Sequence, residues 1–460
     1  MRIQSFQVIN YKTFADSGEM RLEPSFNVIV GRNNVGKTAL AEAMSLRFPS
    51  KPHRSMNTLP TPDTPISQDS RTEISIRLEA NELVELLIRE MPTFYVPTEA
   101  QEAPAGRATF RTVLSEGVTV NATFLNGSYH SAKLSTYTGE TPPRRYMRFT
   151  MDRSGNPSAT GPLLDMASDY PELAAGVAAK FHERLYDFSA VRFGIDEKPI
   201  GTNRFLAPDA SDLVQVLDLL SRNTSRWQRY FGLVRTVLPE IEAITFMPSG
   251  QSPGHVRASL WNIDPDTERE DLAVPLSESG TGVGQVLAIL YVVFTSEYPR
   301  TIVIDEPQSF LHPGAVRKLF EILKGYPQHQ YVITTHSPNA VTAADPRALF
   351  LVRKEGEECV VDQLDVSMAR DQTRFLREVG ASLSDVFGAD NVLWVEGATE
   401  EECFPLILSK VAERQLLGTK IVGVLSTDDL GGQALPRRVS NLQELERGGR
   451  TSATGGELHL

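Results

Sequence analysis

The segment that most constrains the fold is Gly31-Arg-Asn-Asn-Val-Gly-Lys37-Thr38, a full match to the pattern G-x-x-x-x-G-K-[ST]. An apolar run typical of a buried strand precedes it at residues 26–30, and a run with helical character follows at residues 38–48. This order of strand, glycine loop and helix is the context in which the pattern binds phosphate. Backbone N–H groups in such a loop form a nest for phosphate oxygens, and the start of the helix adds the positive end of its dipole.

The loop predicts a nucleotide site, with ATP and Mg²⁺ as the expected cofactors. We expect Lys37 to reach the β- and γ-phosphates and the hydroxyl of Thr38 to ligand Mg²⁺. The alternative, an ordinary turn that happens to contain glycines, does not account for the flanking strand and helix. The residues expected to contact the nucleotide are Gly31, Arg32, Asn33, Asn34, Val35, Gly36, Lys37, Thr38 and Ala39.

A second apolar run, residues 301–304, is rich in β-branched side chains and is typical of a strand buried in a parallel sheet. It ends in two adjacent carboxylates, Asp305 and Glu306, at the position where the active-site groups of open α/β sheets gather. Because adjacent residues on a strand point to opposite sides, one carboxylate can hold the metal while the other faces an attacking water. If the pair stood alone, two solvated acids before a proline would be the better interpretation.

Taken in order, four segments resemble the motifs of the ABC-type ATPases, and within them the SMC, RecF and OLD group. Besides the phosphate loop, Ser277-Glu-Ser279-Gly280-Thr-Gly282 resembles the signature motif, residues 306–313 resemble the Walker B continuation, and residues 331–337 resemble the strand with the switch histidine, His336. The opening residues 3–14 are similar to the first strand of that group. The resemblance covers roughly residues 1–50 and 190–400. Gln308 is one departure, since many OLD-like chains carry a glutamate there.

The resemblance implies roles for these residues and a place for a second copy of the chain. Asp305 with Thr38 would hold Mg²⁺, Glu306 would orient the water, and His336 would sense the γ-phosphate. Each ATP would lie between Lys37 of one head and the signature of another, in a homodimer or a higher homo-oligomer. The further contacts implied are Lys12 on the nucleotide's own side and Ser277, Ser279, Gly280 and Gly282 from the partner copy.

A second resemblance begins at residues 391–400, which look like the first strand and turn of a Toprim domain, the metal-dependent nuclease module fused to OLD-family ATPases. Glu396 matches the first metal-binding glutamate of that module and is a candidate second site. The later D-x-D pair that would complete two-metal hydrolysis does not follow it, since Asp428 and Asp429 are adjacent and Asp264-Pro-Asp266 lies upstream in a turn-like stretch. We therefore expect a partial Toprim-like region followed by a disordered tail, and we do not expect this chain to be a nuclease by itself.

Composition sets further bounds on the class of protein. The chain has 460 residues and a net charge of −12, which argues against an extensive basic surface and leaves a local nucleic-acid patch open. Two cysteines, Cys359 and Cys403, imply neither a disulfide framework nor a zinc cluster. The N-terminus lacks signal-peptide features, and the longest apolar run, residues 286–294, is shorter than the ~20 residues that cross a bilayer. We expect a cytoplasmic protein with no membrane partner.

The predicted fold is α/β: an ABC-type P-loop ATPase head with inserted β-rich and helical subdomains and a short partial Toprim-like C-terminal piece. Within the insert, residues 212–238 are predicted to form a helical arm that carries Arg222, Arg226 and Arg229 on one face. A solvated face is favoured for them over a nucleic-acid or partner contact. The expected divisions are 1–70 and 241–370 for the two halves of the head, 71–240 for the insert, 371–447 for the Toprim-like region and 448–460 for the tail.

The function expected from these patterns is an ATP-hydrolysing, dimerising switch or scaffold. The resemblance to anti-phage systems of the Gabija, Septu and PARIS types implies the ATPase sensor of a bacterial defence system that acts with a separate effector. In the Septu and PARIS types, the nuclease effector is a separate protein. Two alternatives stay open. One is an ATP-regulated OLD-family DNA nuclease that uses acids not recognised in the sequence, and the other is a RecF- or SMC-like DNA repair ATPase.

Overall fold

The computed structural model describes residues 1–48, 54–58, 69–98, 110, 114–137, 145–159, 163–164, 170–189, 198–248, 254–267, 269–365, 391–395, 403–404, 407 and 419–423. The chain divides into two compact units, Met1–Gln363 and Leu364–Leu460. Helices and strands are interspersed along the first unit, and the expected α/β class is confirmed.

The described strands fall into five sheets. The strands are β1 (Arg2–Tyr11), β2 (Phe14–Asp16), β3 (Met20–Arg21), β4 (Phe26–Gly31), β5 (Arg71–Leu78), β6 (Thr93–Pro97), β7 (Val118–Leu125), β8 (Ser128–Leu134), β9 (Tyr146–Met151), β10 (Pro157–Ala159), β11 (Leu185–Phe188), β12 (Lys198–Pro199), β13 (Ala243–Pro248), β14 (His255–Trp261), β15 (Val274–Pro275), β16 (Thr301–Asp305), β17 (Gln330–Thr335), β18 (Ala348–Glu355), β19 (Glu358–Leu364), β20 (Asn391–Val395) and β21 (Thr419–Gly423).

The α-helices with defined bounds lie in the first unit. They are α1 (Lys37–Met44), α2 (Ala80–Arg89), α3 (Leu173–His182), α4 (Leu213–Ser221), α5 (Thr224–Val237), α6 (Thr281–Thr295), α7 (Pro313–Lys324) and α8 (Pro338–Ala344). Short 3₁₀ turns connect some of the elements at Met56–Thr58, Pro265–Thr267, Glu270–Leu272, Leu276–Glu278 and Pro307–Ser309.

The central sheet has the strand order β11-β16-β17-β4-β18-β19, and its first five strands are parallel. Every residue of β4, β16 and β17 is buried, as expected for strands covered on both faces. The carboxyl ends of parallel strands lie at one edge of a sheet, and ligands of open α/β sheets bind there. The loops that follow β4, β16 and β17 are therefore brought to the same edge.

An antiparallel sheet of order β2-β1-β5-β7-β8 packs with α1, α2 and α3 into the main hydrophobic core. Phe6 of β1, Leu40 of α1 and Phe350 of β18 are all fully buried in this core. Removal of such a side chain from water stabilises a fold by roughly 2 kcal/mol. The core therefore fixes the position of α1, and with it the start of that helix after the phosphate loop.

Two helices occupy residues 212–238, where the sequence predicts one helical arm. The first helix, α4, ends before Arg222, and Asn223 caps the second, α5, by accepting a hydrogen bond from the backbone N–H of Arg226 at 3.1 Å. Asparagine is a strong N-cap, and this local hydrogen bond competes with continuation of the helix. Arg222 lies in the break and pairs with Asp218 at 2.7 Å. The three arginines consequently do not form one stripe on one continuous helix.

In the second unit, the elements with defined bounds after β19 are the strands β20 and β21. Strands β20 and β21 pair in parallel, and Val395 at the end of β20 is buried. Residues 396–400, which include Glu396, and the acids Asp428 and Asp429 lie outside the described residues, as do the 448–460 tail and most of 371–447. Across the described part of the chain, no helix combines the length and apolar character that a membrane span requires.

Candidate nucleotide-binding site

The phosphate loop connects the end of β4 to the start of α1, as the sequence predicts. Gly36 caps α1 with φ of 97°, in the left-handed region where glycine carries no Cβ penalty. A Cβ at this position would also lie 2.8 Å from the ring of Phe14 and would collide with the hydroxyl of Thr13. The second glycine of the pattern is therefore required both by the backbone conformation and by close contact with the segment after β1.

Lys37 is held by three acceptors. Its Nζ donates to the backbone oxygens of Gly31 at 3.0 Å and Arg32 at 2.9 Å, and it lies 3.0 Å from Oε1 of Glu306. The side chain is only 5% exposed, so the ammonium is fixed at the mouth of the loop rather than free in solvent. The ammonium has three N–H donors, and these three partners engage all of them. The group is therefore positioned for phosphate oxygens, but a phosphate would have to replace one of its partners.

Asp305 at the end of β16 is joined to the phosphate loop through Thr38. The hydroxyl of Thr38 lies 3.0 Å from Oδ2 and 3.3 Å from Oδ1 of Asp305, and the hydroxyl of Thr334 donates to Oδ1 as well. Burial raises the pKa of the Asp305 carboxyl, and the hydrogen bonds from Thr334 and Thr38 oppose that rise. The hydroxyl and the carboxylate are adjacent hard oxygen ligands, and this donor set fits Mg²⁺.

Glu306 follows Asp305 in a strained backbone conformation. Its φ is 50°, in the left-handed region, which costs a non-glycine residue of order 1–3 kcal/mol. Its backbone N–H donates to the carbonyl oxygen of Thr334 at 3.0 Å and so maintains that conformation. This turn directs the side chain back over the loop, where Oε1 contacts Lys37 and Oε2 lies 2.8 Å from Nδ1 of His336.

His336 lies just after β17, beside the Glu306 carboxylate. Its backbone N–H also donates to Oε2 of Glu306, at 3.3 Å. The imidazole is 48% exposed, so it can contact both the glutamate and a ligand above the loop. The structure therefore brings together Lys37, Thr38, Asp305, Glu306 and His336, which the sequence had placed in three separate segments.

Gln308 is a site residue that sequence reasoning treated as a minor departure. Its Nε2 donates to Oε2 of Glu306 and lies 3.2 Å from Nδ1 of His336, and its Oε1 accepts from the hydroxyl of Thr335 at 2.9 Å. A glutamine can donate and accept at once, so it bridges the acid and the strand that carries the histidine. The feature of the sequence that could have indicated this role is the glutamine itself, at a position where many OLD-like chains carry a glutamate.

The signature segment forms a 3₁₀ turn, Leu276–Glu278, followed by α6. The hydroxyl of Ser279 donates within the segment to the carbonyl oxygen of Leu276 at 2.7 Å. Ser277 and Gly280 are exposed, and a Cβ built at Gly280 would meet nothing within 4 Å. A Cβ at Gly282 would instead collide with the carbonyl oxygen of Phe310. One glycine thus faces open space, and the other packs against the loop after Glu306.

The remaining predicted contacts are distributed around the loop. Arg32, Asn33 and Asn34 are exposed, whereas Val35 and Ala39 are buried. Lys12 pairs with the carboxylate of Glu42 on α1, to which the hydroxyl of Tyr11 also donates at 2.8 Å. Lys12 therefore lies beside α1, and its predicted contact with the nucleotide stays a prediction.

Two family models match this chain. Residues 1–130 match a model described as "AAA ATPase domain", and residues 173–342 match one described as "AAA domain, putative AbiEii toxin, Type IV TA system". The first contains the phosphate loop, and the second contains the signature, Asp305, Glu306 and His336. The residues of the site described above are thus divided between the two ATPase-domain matches.

A curated relative and two solved structures are also similar to the chain. The OLD nuclease of Thermus scotoductus is 29% identical over 140 residues, which are 28% of this chain and 26% of the relative, so the match spans about a quarter of that protein. The SMC head domain of Thermotoga maritima is 13% identical with a TM-score of 0.37. The Pyrococcus furiosus Smc head with an extended coiled coil, bound to the C-terminal domain of ScpA, is 10% identical with a TM-score of 0.43. The two structures cover 80% and 82% of this chain, and 100% and 99% of their own.

Proposed function

We propose that this chain, an ABC-type ATPase of the group that includes SMC and OLD proteins, hydrolyses ATP and uses its nucleotide state to control association of two copies. The observation that carries the proposal is the connection of Lys37, Glu306, Gln308 and His336 by direct polar contacts at the end of the phosphate loop. A loop that only binds nucleotide needs no acid positioned in this way. These contacts supply the group that hydrolysis requires.

The chemistry follows from the positions of these side chains. Lys37 would neutralise the β- and γ-phosphates, while Thr38 and Asp305 would hold Mg²⁺, which supplies charge compensation for the phosphate oxygens. Glu306 would accept a hydrogen bond from a water and orient it toward the γ-phosphorus. As the new P–O bond forms, the bond to the bridging oxygen breaks, ADP leaves with that oxygen, and the proton of the water passes to the acid or the released phosphate.

Association of two copies is proposed from the exposed part of the signature. Gly280 is the N-cap of α6, a helix of 15 residues whose amino end favours negative charge. Ser277 and Gly280 are exposed there, so a γ-phosphate held by another copy could approach. ATP would then contribute contacts to both copies, and its hydrolysis would remove the contacts that the γ-phosphate makes.

The cellular role proposed is the ATPase sensor of a bacterial anti-phage system that acts with a separate effector, which could be a nuclease. Two observations support it. The sequence resembles ATPases of such systems, and the family model over residues 173–342 carries a toxin and a toxin–antitoxin system in its description. The proposal places the chain in the cytoplasm, where phage DNA and a partner effector are accessible.

A second candidate is an ATP-regulated DNA nuclease of the OLD family, favoured by the match to an OLD nuclease over 140 residues. The two candidates differ in what the purified chain does to DNA. Supercoiled plasmid, incubated with the chain, ATP and Mg²⁺ or Mn²⁺, should remain intact under the sensor proposal. Metal-dependent nicking that is lost in Glu396→Ala would replace that proposal with the nuclease.

The ATPase proposal is tested by phosphate release and light scattering on the purified full chain. We expect Mg²⁺-dependent phosphate release and a larger mass with ATP than with ADP. The defence role is tested by phage plating on cells that carry the gene with its neighbouring reading frame, compared with cells that carry Lys37→Ala. If phage plate equally well on cells with the wild-type gene and on cells with Lys37→Ala, the defence role is wrong. If the purified chain releases no phosphate from ATP, the ATPase proposal is wrong.

A further inference from the structure

A cavity of about 550 Å³ lies in the first unit, away from the phosphate loop. Two of its lining residues, Arg184 and Arg300, immediately precede β11 and β16. Asp305, by contrast, is the last residue of β16. It lies five residues after Arg300, and at a rise of ~3.3 Å per residue the two Cα atoms are about 16 Å apart. The cavity is therefore at the amino ends of these parallel strands, opposite the edge that carries the nucleotide site.

The wall of the cavity is partly aromatic. Phe205 lines it and is 71% exposed, which is unusual for a phenylalanine. The ring of Tyr298 also lines it, and the guanidinium groups of Arg89 and Arg184 lie 5.7 Å and 5.8 Å from its centre. The hydroxyl of Tyr186 donates to the carbonyl oxygen of Leu206 at 3.0 Å, which fixes the segment that bears Phe205. The two rings therefore line the same cavity.

The carboxylates that line the cavity already have cationic partners. Each of them lies within salt-bridge distance of a lysine or an arginine of the same unit. The pairs are Glu82–Arg184 at 3.7 Å, Glu85–Arg89 at 2.7 Å, Glu90–Arg184 at 2.6 Å and Glu183–Lys180 at 3.0 Å. The negative charges of the wall are therefore compensated by neighbours in the chain.

Arg300 differs from these arginines because no carboxylate of the described residues forms a salt bridge with it. The residue is 7% exposed, and its side-chain hydrogen bond runs from Nε to the hydroxyl of Ser296 at 3.4 Å. Burial lowers the pKa of the guanidinium, with Tyr186 opposing this change, Arg184 adding to it and the Glu90 carboxylate opposing it. An arginine presents five donors in a planar fork, and only Nε of Arg300 has a side-chain hydrogen-bond partner among the described residues. A buried cation of this kind is costly unless it is paired.

We infer that this cavity binds a small anion that carries an aromatic or other planar apolar group. Its phosphate or carboxylate would pair with the guanidinium of Arg300, because the planar fork of arginine matches both kinds of oxyanion. Its planar group would lie against Phe205 and Tyr298, which together form an apolar and partly exposed wall. The inference does not rest on ATP hydrolysis, since the cavity and the phosphate loop share no residue.

The test measures binding of three probes to the full-length chain by calorimetry: phenyl phosphate, benzoate and inorganic phosphate. Phenyl phosphate or benzoate should bind the wild type more tightly than inorganic phosphate does. Arg300→Gln should weaken that binding at least ~10-fold, the usual scale for losing a charge-assisted hydrogen bond. Tighter binding of phenyl phosphate would assign the site to phosphates, and tighter binding of benzoate would assign it to carboxylates.

Three further variants make the result specific. Arg235→Gln removes an exposed arginine of α5 that pairs with Glu242, and it should leave probe binding unchanged. Lys37→Ala should also leave it unchanged. Phe205→Ala alters an exposed side chain and should fold even where Arg300→Gln does not; it should weaken the aromatic probes and leave inorganic phosphate unaffected. The inference is overturned by no binding up to about 10 mM, by equal binding to Arg300→Gln, or by binding that Lys37→Ala abolishes.

Discussion

The ammonium of Lys37 lies 3.0 Å from Oε1 of Glu306, so the phosphate-loop lysine and the acid after β16 form a direct ion pair. The other two donors of the ammonium are taken by the carbonyl oxygens of Gly31 and Arg32. A γ-phosphate that binds Lys37 must therefore compete with the glutamate. The same exchange would free Oε1 of Glu306 to accept a hydrogen bond from a water, so nucleotide binding would be coupled to preparation of the acid.

Lys37→Ala should abolish ATP binding and turnover, because it removes the positive charge that pairs the β- and γ-phosphates. The measurement is calorimetric binding of ATP together with phosphate release. Lys180→Ala is a matched control, since that lysine lies on α3 and pairs with Glu183. Hydrolysis at the wild-type rate by Lys37→Ala would contradict the assignment of the loop.

Glu306→Gln should lower turnover by at least ~100-fold, the scale expected when a general base is removed. Nucleotide affinity should be kept or raised, because the neutral side chain of Glu306→Gln would no longer form an ion pair with Lys37. The carboxylate of Asp305 would remain beside Thr38 to hold Mg²⁺. The variant should accumulate as an ATP-bound dimer in light scattering, and Glu321→Gln on α7 provides an exposed-acid control. Normal turnover, or loss of ATP binding, would mean that the two acids have been assigned to the wrong roles.

Gln308→Ala should lower kcat by ~10-fold with little change in KM, because the hydrogen bond that positions Glu306 is lost. Gln308→Glu gives a readout that a merely structural role would not affect. It places a second carboxylate against Glu306, so the pKa of the pair should rise and the acidic limb of the pH–rate profile should move to higher pH. An unshifted profile with unchanged kcat in both variants would show that Gln308 does not position the acid.

Gly280→Asp should inactivate the signature without unfolding the chain. The backbone at Gly280 has φ of −58°, and a Cβ there meets nothing within 4 Å, so the fold has room for the side chain. The added carboxylate would repel a γ-phosphate held by another copy. Mixing Gly280→Asp chains with Lys37→Ala chains should restore part of the ATPase activity, because a mixed dimer can hold one intact composite site. No recovery in proven mixed dimers would indicate that each copy hydrolyses ATP alone.

Asp187→Asn should stabilise the fold at neutral pH. Asp187 lies on β11 beside β16, and burial raises the pKa of its carboxyl to about 6, with Asp305 and Glu42 adding to the rise and Arg47 opposing it. The folded chain therefore binds a proton more strongly than the unfolded chain, whose aspartate titrates near 4. This group destabilises the fold above about pH 6, and the penalty is relieved as the pH falls toward 4.

Asp187→Asn should accordingly raise the unfolding free energy by ~1–2 kcal/mol at pH 7, a value reduced by loss of the contact with Arg47. The gain should shrink as the pH falls toward 4. Denaturant unfolding at several pH values measures it, with the exposed Asp266→Asn as control. A gain that does not depend on pH would show that the carboxyl is not the cause.

The sequence predicted the parts of the site that depend on local order along the chain. A glycine loop between a buried strand and a helix, and two acids at the end of another buried strand, determine where Lys37 and Asp305 lie once the strands are parallel. The role of Gln308 could not be predicted in this way, because its partners Thr335 and His336 are 27 and 28 residues away. Such contacts depend on the pairing of β16 with β17 and on the left-handed turn at Glu306.

Helical periodicity likewise located α4 and α5 but did not find the break between them. The break depends on the N-cap hydrogen bond that Asn223 accepts. The spacing of apolar residues contains no information about that hydrogen bond. The pairing of Arg184 with Glu82 and Glu90 also joins chain segments that are far apart in sequence. For Glu396 the expected metal role stays a prediction, since it lies outside the described residues.

The close packing of Gly282 against the carbonyl oxygen of Phe310 has a mechanical consequence. The amino end of α6 cannot shift toward the loop after Glu306, because there is no clearance for even a methyl group between them. A push on the signature from a docking copy would therefore be transmitted to the segment that begins with Glu306 rather than absorbed as local compression. If the proposed dimer forms, the absence of a side chain at Gly282 would therefore couple movement of the signature to movement of the segment that carries Glu306.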